Sequence, residues 1–337
     1  MKPNELPLPE KLMKFIVGRW ISKPIYVAAE LGIADMLAEG PKHIDDLAQS
    51  SKSHAPYLFR VMRALASVGI FSEIEDKRFE NTPLAEHLKT GAMRSIALMF
   101  NSDWSDEAWK YFLESVKTGE TAFEKAHGMS VSNWLEKNPR AAEVFNEANA
   151  IKAASSHRAI VDVYDFSGIN TLIDVGGGLG VLMAEILIAN PLMEGIVADI
   201  PSVIQNTQKV IQARGIEDRC QAIKCDFFKN IPSGGDAYLM SNILHDWTDE
   251  QSHLILTTCH RAMKGDSKLL VIEMVIPPGN EPSVAKLLDL EMLVITGGRE
   301  RTEAEFKDML EVSGFKLSRI IPTNENTCII EGLKVGK

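Results

Sequence analysis

Residues 172–180 read LIDVGGGLG: an apolar run closing on an acid, then glycines at 176, 177, 178 and 180, before a helix-forming stretch from Val181 to Ala189. A strand that feeds a glycine loop and then a helix is built to bind a nucleotide-like ligand. The glycines let the backbone turn sharply and come close to a ligand with no Cβ in the way, and Asn190-Pro191 ends the helix. The competing explanation is a structural glycine turn in some α/β protein, so other residues must decide.

Spacing and charge narrow the ligand. A dinucleotide fingerprint wants its third glycine one place after Gly180, where Val181 stands, and needs no acid on the strand before the loop. Asp174 would repel a pyrophosphate but suits water or an ammonium group. S-adenosylmethionine carries an ammonium, a sulfonium and no phosphate, so the loop favours that ligand over NAD.

The chain of 337 residues is 45% hydrophobic and 24% charged, an ordinary globular composition long enough for two or more domains, which excludes disorder as its main theme. A net charge of -10 argues against general attraction to nucleic acid or anionic membranes and leaves a small molecule as the expected partner. The opening MKPNELPLPEKL is polar rather than leader-like, and no stretch is apolar enough to span a bilayer, so a cytoplasmic protein is expected. Cys220, Cys225, Cys259 and Cys328 form no Cys-x-x-Cys pair, and His253 and His260 share no ligand spacing with His245. Neither a disulfide framework nor a metal site is expected.

From Glu10 to Leu88 the pattern is helical up to a Gly40-Pro41 break, then reads as two short helices, a longer one and a small hairpin, the order of elements in a winged helix. Such a module either reads DNA or serves packing and dimerisation. Its basic residues Lys42, Lys52, Arg60, Arg63, Lys77, Arg78 and Lys89 are balanced by Asp45, Asp46, Glu73, Glu75, Asp76, Glu80 and Glu86, which disfavours DNA. Residues 99–165 read as helical and rich in aromatics; most are core or interface, with Phe100 and Asn101 the first candidates to line a pocket for a flat acceptor.

After residue 170 the strand-like segments LIDVGGG, EGIVADI, CQAIKCDFF, DAYLMSNIL and KLLVIEMVI alternate with helical ones, which predicts an α/β fold with a parallel, doubly wound, Rossmann-like sheet. FKLSRIIPTNENTCIIEGLK reads instead as an antiparallel C-terminal hairpin at the sheet edge.

Ligands of such a sheet sit at the carboxyl ends of its strands. Asp199 ends the second strand about twenty residues past the loop, where an acid accepts from ribose hydroxyls; the alternative is a solvated turn acid. Asp226 and Phe227 after the third strand offer an acceptor for an adenine amino group and an apolar face for its ring, or else a strand-end acid before core aromatics. The fourth strand runs into Asn242-Ile243-Leu244-His245-Asp246-Trp247. A histidine there, with an ordinary pKa near ~6.5, is a natural general base. Glu273, ending the fifth strand, and Glu300, in the loop GGRERT, are carboxylates able to orient it, although Glu300 between Arg299 and Arg301 also reads as a salt-bridged loop acid.

Taken together, LIDVGGGLG, VADIP, CDFF, LHDW followed by TDE, LLVIE, and DLEMLVITGGRERTEAEF followed by SGF resemble the S-adenosylmethionine-dependent O-methyltransferases of the caffeate and hydroxyindole type, over nearly the whole chain. The resemblance implies a winged-helix dimerisation domain over 10–98 and a methyltransferase domain over 99–337, with 99–165 its helical lead-in and 166–337 its Rossmann-like core. It implies a homodimer, cofactor contacts from Gly176, Gly178, Asp199, Asp226 and Phe227 in addition to the Asp174 read above from its charge, a base at His245 bracketed by Glu273 and Glu300, and an acceptor near Phe100, Asn101, Asn242 and Met292. Ser241 stands where plant members commonly have a lysine near the adenosine, and Asn242 where they have a tryptophan against the acceptor ring; the short VITGG loop is more like bacterial members.

The expected reaction moves a methyl group from S-adenosylmethionine to an aromatic or phenolic hydroxyl. Its rivals are a cofactor-binding relative that hydroxylates or decarboxylates, a winged-helix DNA-binding regulator, and an NAD-dependent dehydrogenase.

Overall fold

The computed structural model describes residues 7–336, apart from the side chain of Ser155; residues 1–6, part of the opening read above as lacking a leader, lie outside them. The chain divides into two compact units. One runs to Glu107 and takes in Ser132–Lys152, and the other comprises Ala108–Val131 and Ala153–Lys337. The segment 99–165 is thus shared between the two.

The first unit begins with α1 (Leu8–Ile16), α2 (Arg19–Glu30) and α3 (Ile33–Met36), followed by β1 (Lys42–His43), α4 (Ile44–Ser50) and α5 (Ala55–Ser67). The strands β2 (Phe71–Ile74) and β3 (Arg78–Asn81) form the hairpin, and β1 pairs antiparallel with β3 as a third strand that the sequence pattern did not announce. One short helix, not two, precedes α5: Lys52 takes a left-handed conformation with φ 54°, which ends α4. Leu47, Leu58, Met62, Leu65, Phe71 and Phe79 make the core. α6 (Arg94–Phe100) follows, then α7 (Asp103–Trp109), α8 (Phe112–Thr118), α9 (Ala122–His127), α10 (Val131–Lys137) and the 25-residue α11 (Pro139–Val163).

The second unit is built on a seven-stranded sheet. Its strands are β4 (Thr171–Val175), β5 (Glu194–Asp199), β6 (Cys220–Lys224), β7 (Ala237–Ser241), β8 (Lys268–Glu273), β11 (Phe315–Pro322) and β12 (Cys328–Lys334), in the order β11-β12-β8-β7-β4-β5-β6. A separate short parallel pair joins β9 (Val275–Ile276) to β10 (Arg301–Thr302). The helices are α12 (Val181–Ala189), α13 (Pro201–Ala213), α14 (Asp249–Ala262), α15 (Val284–Ile295) and α16 (Glu303–Val312).

Period-two alternation explains why both faces are covered. Leu172, Ala237, Leu239, Leu270 and Ile272 pack into one core, while Ile173, Val175, Tyr238, Met240, Leu269 and Val271 pack into the other. β4 to β8 pair in parallel, and the terminal hairpin closes the edge with β12 antiparallel to β8. From β4 the chain winds outward to β5 and β6, then crosses back to β7. The strand order therefore reverses between β4 and β7, which is where a crevice for a ligand opens at the carboxyl ends.

Among the described residues, no helix is long and apolar enough to cross a membrane.

Candidate active site

The glycine loop leaves β4 at this switch point. Gly176, Gly178 and Gly180 all have φ between 57° and 75°, a region that side chains with a Cβ rarely adopt. Close approach constrains the loop as well: a Cβ on Gly176 would stand 2.6 Å from Cδ1 of Ile243, in the turn that carries His245. The two halves of the sheet are thus in contact across the switch.

Three acids stand at or just past the carboxyl ends of β4, β5 and β6. Asp174 is 1% exposed and its Oδ1 has no hydrogen-bond partner among the described residues. Burial foremost, and the charge of Asp199 second, push its carboxyl up to about 7. Asp199 accepts from the N–H of Gly178 at 2.8 Å and from the N–H of Ile200 at 2.7 Å, so it fastens the loop to the end of β5. Burial raises its carboxyl and these two bonds lower it, with burial the larger influence. Asp226 lies two residues beyond β6, accepting from the Phe228 N–H at 3.1 Å and paired with Lys229 at 2.7 Å, which holds its carboxyl below the usual range. Next to it, Phe227 and Phe228 meet Trp247 edge to face, with centroids 6.1 and 4.8 Å apart.

This donor set suits a cationic nucleoside. A buried carboxylate with an unpartnered oxygen is costly unless a cation or a hydrogen-bond donor answers it. An ammonium group does so, whereas a pyrophosphate would meet Asp174 and Asp199 as like charges.

Beyond β7 the chain enters the turn that holds the imidazole. Asn242 has φ 53°, a left-handed conformation that asparagine tolerates better than most residues, and its N–H donates to Ile272 O at 3.0 Å. Ser241 is half-buried at the strand end, with Asn242 Nδ2 3.4 Å from its hydroxyl. A 3-10 turn over Leu244–Asp246 then brings His245 against two fully buried carboxylates. Its backbone N–H donates to Glu273 Oε1 at 3.1 Å, and its Nδ1 lies 2.8 Å from Glu300 Oε1. Its Nε2 is 3.9 Å from Asp246 Oδ1, and the side chain is 12% exposed. Burial, the largest single influence, works against the charged ring, but Asp246, the bond to Glu300 and the charges of Glu273 and Glu300 outweigh it and carry the imidazole up to about 9. Glu273 is pushed up to about 7, chiefly by burial.

The arginines flanking Glu300 turn elsewhere. Arg299 pairs with Asp249 and Glu305, and Arg301 bonds Asp249. Glu300 is therefore free to serve the imidazole, and its own backbone N–H is fixed by Asp289 Oδ1 at 2.9 Å. Neither Asp289 nor Arg301 stood out in the sequence; only the buried position of the GGRERT loop gives them a role.

Met292 lies on α15 and is 9% exposed. Phe100 and Asn101 belong to the first unit. Phe100 ends α6 with Lys152 Nζ 5.6 Å from its ring centroid, while Asn101 donates through Nδ2 to Ala97 O at 3.2 Å and accepts at its carbonyl from Lys23 at 2.7 Å. The four cysteines are free thiols, three of them buried. Among the described residues no group of three or more His, Cys, Asp or Glu side chains is arranged to hold a metal ion.

A doubly wound sheet with acids suited to a cationic nucleoside at its switch point, next to a carboxylate-bound histidine, defines the class of S-adenosylmethionine-dependent methyltransferases. Residues 109–316 match the O-methyltransferase domain and residues 13–91 the O-methyltransferase dimerisation domain. The chain is 45% identical to the phenazine O-methyltransferase PhzM of Lysobacter antibioticus over 333 residues, covering 98% of this chain and 97% of that protein. The solved structure of the mitomycin 7-O-methyltransferase MmcR matches with a TM-score of 0.91 at 36% identity, over 97% of this chain and 98% of that one. The neocarzinostatin-pathway O-methyltransferase NcsB1, solved with S-adenosylmethionine and 2-hydroxy-5-methyl naphthoic acid, matches with a TM-score of 0.82 at 28% identity, over 93% and 96%. The chain belongs to the O-methyltransferase family that carries this dimerisation domain, and its cofactor is S-adenosylmethionine.

Proposed function

We propose that this enzyme methylates a hydroxyl of a small, flat aromatic acceptor, with His245 as general base. The observation that carries the reading is the 2.8 Å contact between His245 Nδ1 and the buried Glu300. With Nδ1–H donated to that carboxylate, Nε2 carries the lone pair and accepts the proton of the acceptor hydroxyl. Glu300 holds the tautomer and stabilises the imidazolium as it forms, and Glu273 keeps the turn in register through the His245 backbone. Bound S-adenosylmethionine supplies an electrophilic methyl carbon, with the sulfur leaving as a neutral thioether. Asp174, Gly176, Gly178, Asp199, Asp226, Phe227 and Ser241 are assigned to holding that cofactor, and Phe100, Asn101, Asn242 and Met292 to the acceptor. The phenazine, mitomycin and naphthoic acid named for the three relatives support a flat acceptor.

The same reading takes the enzyme as a homodimer through a dimerisation domain over 10–98, with 99–337 as the catalytic domain. Leu8, Phe15, Ile16 and Trp20 are all more than 60% exposed, an apolar face that a second copy would cover. The test is incubation with methyl-labelled S-adenosylmethionine and a panel of phenazinols, dihydroxynaphthoates, catechols and hydroxyindoles. The expected result is one labelled methyl per product and an equivalent of S-adenosylhomocysteine; consumption of acceptor without methyl transfer would overturn it.

A further inference from the structure

Among the described residues, the largest fully buried side chain is Arg301, a guanidinium 1% exposed. A buried cation is costly and usually answers a buried anion. Here the carboxylate it binds, Asp249, is itself 57% exposed, and the other bonds go to three backbone carbonyls and one hydroxyl. Nε and Nη2 reach Asp249 Oδ1 at 3.0 and 2.8 Å. Nη1 donates to Leu244 O at 3.0 Å and to Arg299 O at 3.3 Å, while Nη2 donates to Trp247 O and Ser252 Oγ, each at 3.2 Å.

Leu244 and Trp247 bracket His245. Its own carbonyl is also taken, by the Arg299 N–H at 2.9 Å. Residues 299–301 thus claim three of the four carbonyls from Leu244 to Trp247, in the turn that aims the imidazole. The same segment supplies Glu300 to the imidazole ring, and β10 pairs Arg301 with Val275, two residues past Glu273. The short segment 299–301 therefore holds the histidine's backbone and its carboxylate partner in a fixed relation, and Arg301 is the tie.

We infer that Arg301 is a positioning residue for the methyl transfer: its forked guanidinium locks the Leu244–Trp247 turn so that His245 Nδ1 stays on Glu300 and Nε2 faces the acceptor. This rests on His245 being the base. Geometry and charge separate in a lysine variant, because an ammonium keeps the positive charge but cannot span Leu244 O, Trp247 O, Ser252 and Asp249 together.

The experiment compares wild type, Arg301→Lys and Asp249→Asn by nitrogen-15 NMR of the histidine side chains, with S-adenosylmethionine affinity by calorimetry as the control for folding. In wild type His245 is expected to titrate well above ~6.5, with its neutral form as the Nδ1–H tautomer. In Arg301→Lys the titration moves back toward the ordinary value and both tautomers appear, cofactor affinity stays within about threefold, and kcat on any acceptor the wild type methylates falls about a hundredfold, the cost expected of a base displaced by an ångström. If the lysine variant does not fold, Asp249→Asn carries the test, since it removes the outer anchor of the same fork and should shift the titration in the same direction. An unchanged titration and tautomer in every folded variant overturns the inference. Because the NMR readout needs no turnover, a loss of the Glu300-bound tautomer in Arg301→Lys without any loss of rate would retain the clamp and overturn the assignment of His245 as base.

Discussion

His245 and Glu300 are 55 residues apart in the chain, yet Nδ1 of the one lies 2.8 Å from Oε1 of the other, inside a site where the carboxylate is completely buried. The bond leaves the opposite ring nitrogen to do chemistry. Replacing His245 by alanine or asparagine should reduce kcat by about a hundred- to ten-thousandfold, the range attributed to a positioned base. S-adenosylmethionine affinity, measured by calorimetry, should change by less than about threefold, because the acids assigned to it lie on β4, β5 and the turn after β6. Turnover within about tenfold of wild type would exclude the role.

The raised imidazole gives the pH profile its sign. A base acts when neutral, so kcat/KM for the acceptor at saturating cofactor should climb with pH through an apparent pKa above the ordinary ~6.5, toward the value of about 9 set by Asp246, Glu300 and Glu273. Glu300→Gln removes one carboxylate that favours the imidazolium. Its ascending limb should move to lower pH while its plateau drops. The linked stability follows the rule for a raised base: the pairing contributes fully below about 6.5 and is lost as pH rises through about 9. Thermal denaturation of Glu300→Gln against wild type should therefore show its largest deficit below neutrality. A limb that does not move contradicts the assignment.

Asp174 couples cofactor affinity to pH at a second point, lower on the pH scale. Its carboxyl is pushed up to about 7 by burial and by Asp199, so the folded protein without ligand holds that proton more tightly than the unfolded chain does. Stability of the ligand-free enzyme should fall as pH rises from about 4 toward 7, and a cationic ligand should bind more tightly over the same rise, because it favours the carboxylate. Asp174→Asn should flatten both dependences and weaken S-adenosylmethionine at pH 8 by about tenfold or more, as expected for one lost charge-assisted bond. Calorimetric titrations at pH 6 and 8 decide it: pH-independent affinity in wild type would remove Asp174 from the cofactor site.

Much of this site is legible in sequence because it is local. The glycine loop, Asp199, His245 and Glu273 stand at or just past strand ends, and strand ends can be read from alternation and turn residues alone. The remainder is tertiary. Glu300 between two arginines reads equally as a surface ion pair, and only the meeting of residues 298–301 with the turn after β7 turns it inward and sends Arg299 and Arg301 to Asp249. Asp289 is silent in sequence for the same reason, since its bond is to a backbone N–H eleven residues away. The third strand of the first unit leaves no pattern in the sequence because two residues, Lys42 and His43, are too few to alternate.

That meeting of segments also makes a test at Gly298. Its φ is unremarkable, so the need for glycine is spatial: a Cβ there would overlap the carbonyl of His245 and the Asp246–Trp247 peptide. Gly298→Ala can be accommodated only if the 298–301 segment or the histidine turn shifts by about an ångström, which breaks the registry between Arg299 N–H and His245 O. The expected result is a kcat loss of about a hundredfold with cofactor affinity retained. Stability should fall by about 1–3 kcal/mol, the cost of overpacking a close contact. Gly297→Ala serves as the contrast, because the side chain it would strike is that of Thr121 and not the catalytic turn. It should lose stability, since φ there is +76°, but retain the pH profile of wild type. If Gly298→Ala also keeps its rate and pH profile, the two segments are not held as closely as the registry of the catalytic turn requires.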